Sequence, residues 1–223
     1  MHGNSRLPAS AQTDLHPQLA LLVDRHRQAP FRKPYADYNR AAFATSFERF
    51  QRIAAGAPLI LDACCGAGES SLALARAFPG HYVIGVDQSA TRLARGQAAA
   101  ADWPDNLELV RADLVDYWRL LHDAGVRLDR HYLLYPNPWP KIGHLGRRWH
   151  GHPVFPTLIG LGGVFECRSN WPIYLDELSF ALQRMTRKTV CREPHLAHPP
   201  MTPFERKYLA SGHALFRVAV DLT

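Results

Sequence analysis

Pro58-Leu59-Ile60-Leu61-Asp62-Ala63-Cys64-Cys65-Gly66-Ala67-Gly68-Glu69-Ser70 runs from an apolar segment into a glycine turn, and an alanine- and leucine-rich helix follows as far as Phe78. An apolar run this short, bounded by a turn, reads as a buried strand. Gly66 and Gly68 permit a tight turn and let a ligand approach bare backbone. Outward from this unit the same rhythm repeats. Tyr82-Val83-Ile84-Gly85-Val86-Asp87 is a second strand, with a helix after it through Ala101. Leu107–Val110, His131–Tyr135 and Val164–Cys167 follow as further strands, and Trp171 to Arg187 as a helix. Ala214 to Val220 alternates in the manner of an exposed-edge or antiparallel strand. Short apolar strands alternating with helices imply an α/β fold, a mainly parallel sheet with helices on both faces. In such sheets ligands lie at the carboxyl ends of the strands, so the chemistry belongs just after each one.

Composition is compatible with that frame. The chain has 223 residues, 47% hydrophobic and 21% charged, which suits one large domain or a domain with a short arm. No run of eighteen apolar residues exists, so no membrane-spanning helix is expected, and the polar start lacks the apolar core of a secretion signal. Cys64, Cys65, Cys167 and Cys191 are too few and too poorly spaced for a disulfide framework, which points to a reducing cytoplasm. Residues 1–57 form an N-terminal arm ahead of an α/β domain at 58–223. In the arm, residues 1–14 are polar and lack periodicity, and are expected to be flexible. A short helix carries Leu19, Leu21, Leu22 and Val23 and stops at Ala29-Pro30. A second, Ala36 to Ala54, sets Phe43, Phe47 and Phe50 at helical spacing as core contacts.

The net charge of +6 divides unevenly. Residues 1–140 hold 15 Lys+Arg against 14 Asp+Glu, or +1, and residues 141–223 hold 11 against 6, or +5. The last third could hold a polyanion, although charge alone is better met by a basic surface that merely keeps the chain soluble.

Three acidic strand ends define a nucleoside site. Asp62 ends the first strand. Asp87 ends the second, nineteen residues beyond Gly68, where a carboxylate can accept hydrogen bonds from both hydroxyls of a ribose. Asp113 follows the third strand, placed for the exocyclic amine of a base or as the cap of a helix. A nicotinamide dinucleotide site would want a third glycine where Ser71 stands. Together these residues resemble class I methyltransferases, with Asp62-x-Cys64-x-Gly66-x-Gly68 as the acidic, glycine-rich first motif. The resemblance implies a Rossmann-like, seven-stranded, mainly parallel sheet and S-adenosylmethionine as cofactor. By the same resemblance Asp62 lies near its amino-acid end, Asp87 at the ribose and Asp113 at the adenine. Cys64 departs from the pattern, which usually has glycine there.

The fourth strand leads into Tyr135-Pro136-Asn137-Pro138-Trp139-Pro140-Lys141, followed by Arg147-Arg148. Prolines on both sides stiffen the loop, the tryptophan suits base stacking or a pocket wall, and Lys141, Arg147 and Arg148 suit phosphates. Ser169-Asn170-Trp171 follows the fifth strand, and Thr202-Pro203-Phe204-Glu205-Arg206 precedes Gly212-His213. In this order the motifs resemble the bacterial tRNA (guanine-N7)-methyltransferases over about residues 58–218. That family has P-D-P-W-x-K, a paired arginine, T-D-W and T-x-F-E-R in the corresponding places.

The resemblance implies methyl transfer to N7 of a guanine in the variable loop of tRNA. It places Asn137 at the reacting centre and beside the cofactor, and Lys141, Arg147, Arg148, Asn170, Thr202, Phe204 and Glu205 on the substrate. Glu205 would accept from the N1–H and N2–H edge of guanine. At two family aspartates this chain has asparagine, Asn137 and Asn170, which keeps an acceptor and loses a charge. Reduced or redirected activity is the expectation. Two other readings stay open on those asparagines. Asn137-Pro138-Trp139 is akin to the N-P-P-aromatic of amino-group nucleic-acid methyltransferases, with the aromatic one residue early. A non-catalytic relative that binds cofactor and RNA is the other. Cys191, His195 and His198, like His144, His150 and His152, match no usual zinc spacing, so no metal is expected. Neither a monomer nor a homodimer is favoured by the sequence.

Overall fold

The computed structural model describes residues 4–99 and 102–223. The repeating unit at Pro58 builds strand β1 (Leu59–Ala63) and helix α3 (Glu69–Ala77), and the chain continues through β2 (Tyr82–Asp87), α4 (Ala90–Ala99) and β3 (Leu107–Arg111). Helix α5 (Leu114–Asp123), β4 (Arg130–Leu134), two 3-10 turns (Ile142–Arg147 and Trp149–Gly151) and α6 (Phe155–Gly160) follow. The last part comprises β5 (Val164–Ser169), α7 (Pro172–Thr186), β6 (Glu193–Pro194), α8 (Pro203–Ala210) and β7 (Phe216–Asp221). Ahead of them stand α1 (Leu19–Gln28) and α2 (Asp37–Ala54). The second helix of the α/β run was expected through Ala101; Ala100 and Ala101 lie outside the described residues, as do residues 1–3 of the expected flexible start.

The strands form one sheet in the order β3-β2-β1-β4-β5-β7-β6. β1 pairs in parallel with β2 and β4, and β4 with β5, while β7 runs antiparallel to β5. Order reverses between β1 and β4, which puts a crevice at their carboxyl ends. β1 is buried along its whole length, and its side chains alternate between two cores. Leu59, Leu61 and Ala63 of β1 face the larger core with Trp118, Leu158 and Leu178, whereas Ile60 faces a second core with Leu74 and Ala75. Gly85 lets α3 approach β2: a Cβ there would meet Ser71 Oγ at 2.3 Å.

The final strand alternates and runs antiparallel, one of the two expected forms, and the two-residue β6 lies on its outer side. One feature departs from expectation. The start of the chain, expected to be flexible through residue 14, is tied down from Ser5 onward. Ser5 N donates to Ser211 Oγ (3.1 Å), Ser10 Oγ to the Pro140 carbonyl (2.6 Å), and Gln12 Nε2 to Glu177 Oε1 (2.6 Å). Leu19 and Val23 of α1 belong to the larger core, and Arg184 of α7 pairs with Asp24.

Candidate active site

The glycine turn after β1 is built around a carboxylate that faces inward. Asp62 is fully buried, and its Oδ2 accepts from the hydroxyls of Ser70 and Ser71 in the first turn of α3, each at 2.6 Å. Its other oxygen, Oδ1, is buried with no hydrogen-bond partner in the protein. Burial, opposed by those two hydroxyls, pushes the carboxyl up to about 6. Gly66 and Gly68 both adopt positive φ (63° and 78°), and beside the Cα of Gly66 there is open space. Cys64 also sits at positive φ, 62°, where a side chain costs on the order of 1–2 kcal/mol relative to glycine. The cysteine is thus accommodated at a left-handed position, which is the reason glycine suits it.

At the end of β2, Asp87 lies 3% exposed with both oxygens engaged. Oδ2 accepts from Gly66 N (3.1 Å), and Oδ1 from Ser89 N (2.8 Å) and Arg92 Nη2 (3.0 Å). It therefore fixes the glycine turn while keeping spare acceptor capacity on Oδ2. Asp113 takes the capping role: its Oδ1 accepts from Val115 N (2.9 Å) at the start of α5. The three acidic residues stand at the carboxyl ends of β1, β2 and β3 in a stagger, Asp62 lying opposite Gly85 and Asp87 opposite Arg111.

The orphaned Asp62 Oδ1 is a buried acceptor in want of a donor. The ammonium of S-adenosylmethionine is such a donor, and Gly66 and Asp87 offer bare backbone and a carboxylate beside it. These residues fit the cofactor.

On the substrate side, β4 and β5 end beside each other and carry the two asparagines. Asn137 is exposed, with its Oδ1 accepting from Trp139 N at 3.3 Å. Asn170 is 5% exposed, and its Nδ2 lies 3.1 Å from His213 Nδ1. His213 Nε2 in turn lies 3.0 Å from the carbonyl of Ser5, so the start of the chain closes over the end of β5. Lys141 and Arg147 are exposed, and the Arg147 guanidinium rests over the Trp139 ring, 4.8 Å from its centroid. Phe204 is 41% exposed and lies next to Tyr135 and Tyr208.

Three expected substrate contacts are corrected by the geometry. Arg148 is fully buried, paired with Glu177, bonded to Gln12 Oε1 (2.9 Å) and to the Trp139 carbonyl (3.2 Å), so it is not available to phosphates. Glu205 is also fully buried, and both its oxygens are taken: Oε1 by Tyr135 Oη (3.1 Å) and Arg168 Nη1 (2.8 Å), Oε2 by Met201 N (2.6 Å) and Thr202 N (3.2 Å). No acceptor remains for a guanine edge. Thr202, 4% exposed, spends its hydroxyl on Glu205 N (3.0 Å), which makes Thr-x-x-Glu a capping box for α8. The spacing alone carries that second meaning. Reading it as a substrate motif overlooked the cap.

Reasoning from sequence also missed Glu177. It gathers Gln12, the His16 amide, Arg148 and His150 (2.9 Å) into one buried cluster. Burial alone would raise its carboxyl, but His150 and Arg148 outweigh that and hold it down to about 2. A glutamate in the middle of an amphipathic helix gives no sign of this, because its partners lie 27 to 165 residues away.

The sheet order, with its crevice at the strand ends, is the fold of the class I methyltransferases. The methyltransferase family model Methyltransf_4 matches residues 56–218. The chain belongs to the tRNA (guanine-N7)-methyltransferase family. A tRNA (guanine-N(7)-)-methyltransferase of Mycolicibacterium gilvum is 32% identical over 173 residues, 69% of this chain and 64% of that protein. One from Nocardioides sp. is 30% identical over 73% of this chain and 67% of its own length, and one from Leifsonia xyli is 28% identical over 72% and 74%. Among solved structures, an antibiotic-related methyltransferase superposes with a TM-score of 0.57 at 14% identity, covering 85% of this chain and 96% of its own. A 16S rRNA methyltransferase gives 0.54 at 15%, covering 85% and 94%. At these identities the two structures bear on the fold.

Proposed function

We propose that this protein transfers the methyl group of S-adenosylmethionine to N7 of a guanine in tRNA, in the variable loop, and does so in the cytoplasm. Family membership together with the orphaned, buried Asp62 Oδ1 beside an open glycine turn supports this reading most directly. Among the described residues no helix is long and apolar enough to cross a membrane. Residues 58–223 hold the cofactor and substrate residues, with 1–57 as an arm packed on them.

The cofactor supplies a methyl already activated by a positive sulfur. The protein's task is alignment, because N7 has a free lone pair and no proton to lose, so no general base is needed. Asp62, Gly66, Asp87 and Asp113 hold the cofactor side. Asn137, Asn170 and Phe204 form the substrate side, Phe204 offering an exposed ring for stacking, and Lys141 and Arg147 meet phosphates. Arg148, Thr202 and Glu205 act one step behind: Arg148 fixes the carbonyl of Trp139, and the cap holds α8 so that Phe204 faces out.

Incubation with labelled S-adenosylmethionine and total tRNA, with mass spectrometry of the digested nucleosides, tests the reading. 7-Methylguanosine is the expected product. N6-methyladenine without 7-methylguanosine would assign an amino-group enzyme instead, and cofactor binding without transfer to any tRNA would assign a non-catalytic relative.

A further inference from the structure

Residues 25–40 contain five Lys and Arg against one Asp, a local +4 that a division of charge at residue 140 averages away. The connection between α1 and α2 in this stretch, stiffened by Pro30 and Pro34, walls a concavity of about 750 Å³ together with α5 and the start of α6. Arg32, Lys33 and Arg40 line it and are exposed. Of its five lysines and arginines, only Arg27 and Arg119 make ion pairs among the described residues, with Asp24 and Asp116. Asp37 and Asp123 also line it, yet neither neutralises these three cations, and Asp123 accepts from the Tyr35 hydroxyl instead.

The wall is held rigidly. Arg119 Nη1 donates to the Lys33 carbonyl (2.8 Å), and its guanidinium lies 4.1 Å from the Tyr35 ring centroid. Asp116 Oδ2 accepts from Ala36 N (3.0 Å) and Asn39 Nδ2 (2.7 Å), and Asn39 Oδ1 accepts from Asp113 N (2.9 Å). The concavity is therefore tied to the end of β3. On its other side His26 Nε2 lies 3.2 Å from the Gly151 carbonyl, in the segment that follows Arg147. Arg32, Lys33 and Arg40, with Arg27 and Arg119, outnumber the two carboxylates that line the same concavity, and a polyanion that neutralises them releases its own counterions on binding.

We propose that this concavity holds the phosphodiester backbone of the RNA substrate, as a station separate from Lys141 and Arg147. The proposal rests on the tRNA reading above. Phosphate contact here is blind to base identity: it sets affinity and salt dependence and leaves the transfer step alone.

The test compares wild type with an Arg32→Ala/Lys33→Ala double variant. Binding of total tRNA is measured across a salt series, beside S-adenosylhomocysteine affinity, melting temperature and turnover at saturating tRNA. The plot of log affinity against log salt should become shallower by roughly two, with tRNA binding about ten-fold weaker or more at physiological salt. Cofactor-product affinity, melting and turnover should stay at wild-type values, and Arg32→Lys/Lys33→Arg should restore binding. A double variant that binds tRNA with the wild-type slope overturns the station and leaves the proposed activity standing. So does one whose weaker binding follows a lowered melting temperature. Wild type that binds no tRNA at all overturns both.

Discussion

Asn137 and Asn170 bring an uncharged pair to strand ends where the family carries aspartate, and the two sit in different surroundings. Asn137 stands in solvent on the β4 loop, whereas Asn170 is buried against His213. Methylation leaves positive charge on guanine, which a carboxylate would stabilise as it develops. Asn137→Asp should raise turnover on tRNA about ten-fold, measured as initial rate at saturating cofactor; no gain would show that the charge is not limiting. The paired arginines diverge in the opposite sense. Arg147→Ala should leave melting unchanged and make the salt dependence of tRNA binding shallower by roughly one. Arg148→Ala should cost about 3–5 kcal/mol in denaturant unfolding, because it removes the guanidinium paired with buried Glu177. Asp62 supplies a pH test. Its carboxyl, pushed up to about 6 by burial, is charged only above that pH. S-adenosylhomocysteine binding should weaken as pH falls through 6, and calorimetry on Asp62→Asn should show that dependence flattened.

Single elements show why some of the molecule was legible in sequence and some was not. The β1–α3 unit declared itself, since a buried strand, a glycine turn and a helix leave a local pattern that tertiary structure did not override. So did the acidic residues ending β2 and β3, whose positions follow from strand register. The cap reading of Asp113 is met at the start of α5, along which Tyr117, Trp118 and Leu121 are buried. β6 has two residues and exists only because β7 pairs with it, so no local signal could announce it. Helix α8 shows a motif with two possible meanings, of which packing chose one. Thr202→Ala should destabilise by about 1 kcal/mol through loss of the cap, with Thr202→Ser restoring it, as chemical denaturation would show.

For the whole molecule, two buried carboxylates set the acid limit of stability. Glu177 and Glu205 are each held down to about 2: burial pushes them up, while His150 and Arg148 for the first, and His195 and Arg168 for the second, outweigh it. A carboxyl with a depressed value in the folded state stabilises at pH above its unfolded value, and that stabilisation is lost as pH falls from about 4 towards 2. Unfolding free energy should therefore drop across that window, and Glu177→Gln should be less stable at pH 7 yet lose less on acidification. A wild-type curve flat between pH 4 and 2 would contradict the ion-pair assignment.

The seating of the first residues has a consequence for how the chain assembles. Ser5 meets Ser211 and His213, and Gln12 meets Arg148 and Glu177, so these contacts span 136 to 208 residues of sequence. On a ribosome residues 5–12 emerge well ahead of Arg148, Glu177, Ser211 and His213, which seat them. Docking of this segment is therefore a final step for it, and contacts of such long range are slow to form. An amino-terminal fusion partner would burden that final step, whereas one at the carboxyl end would leave it free.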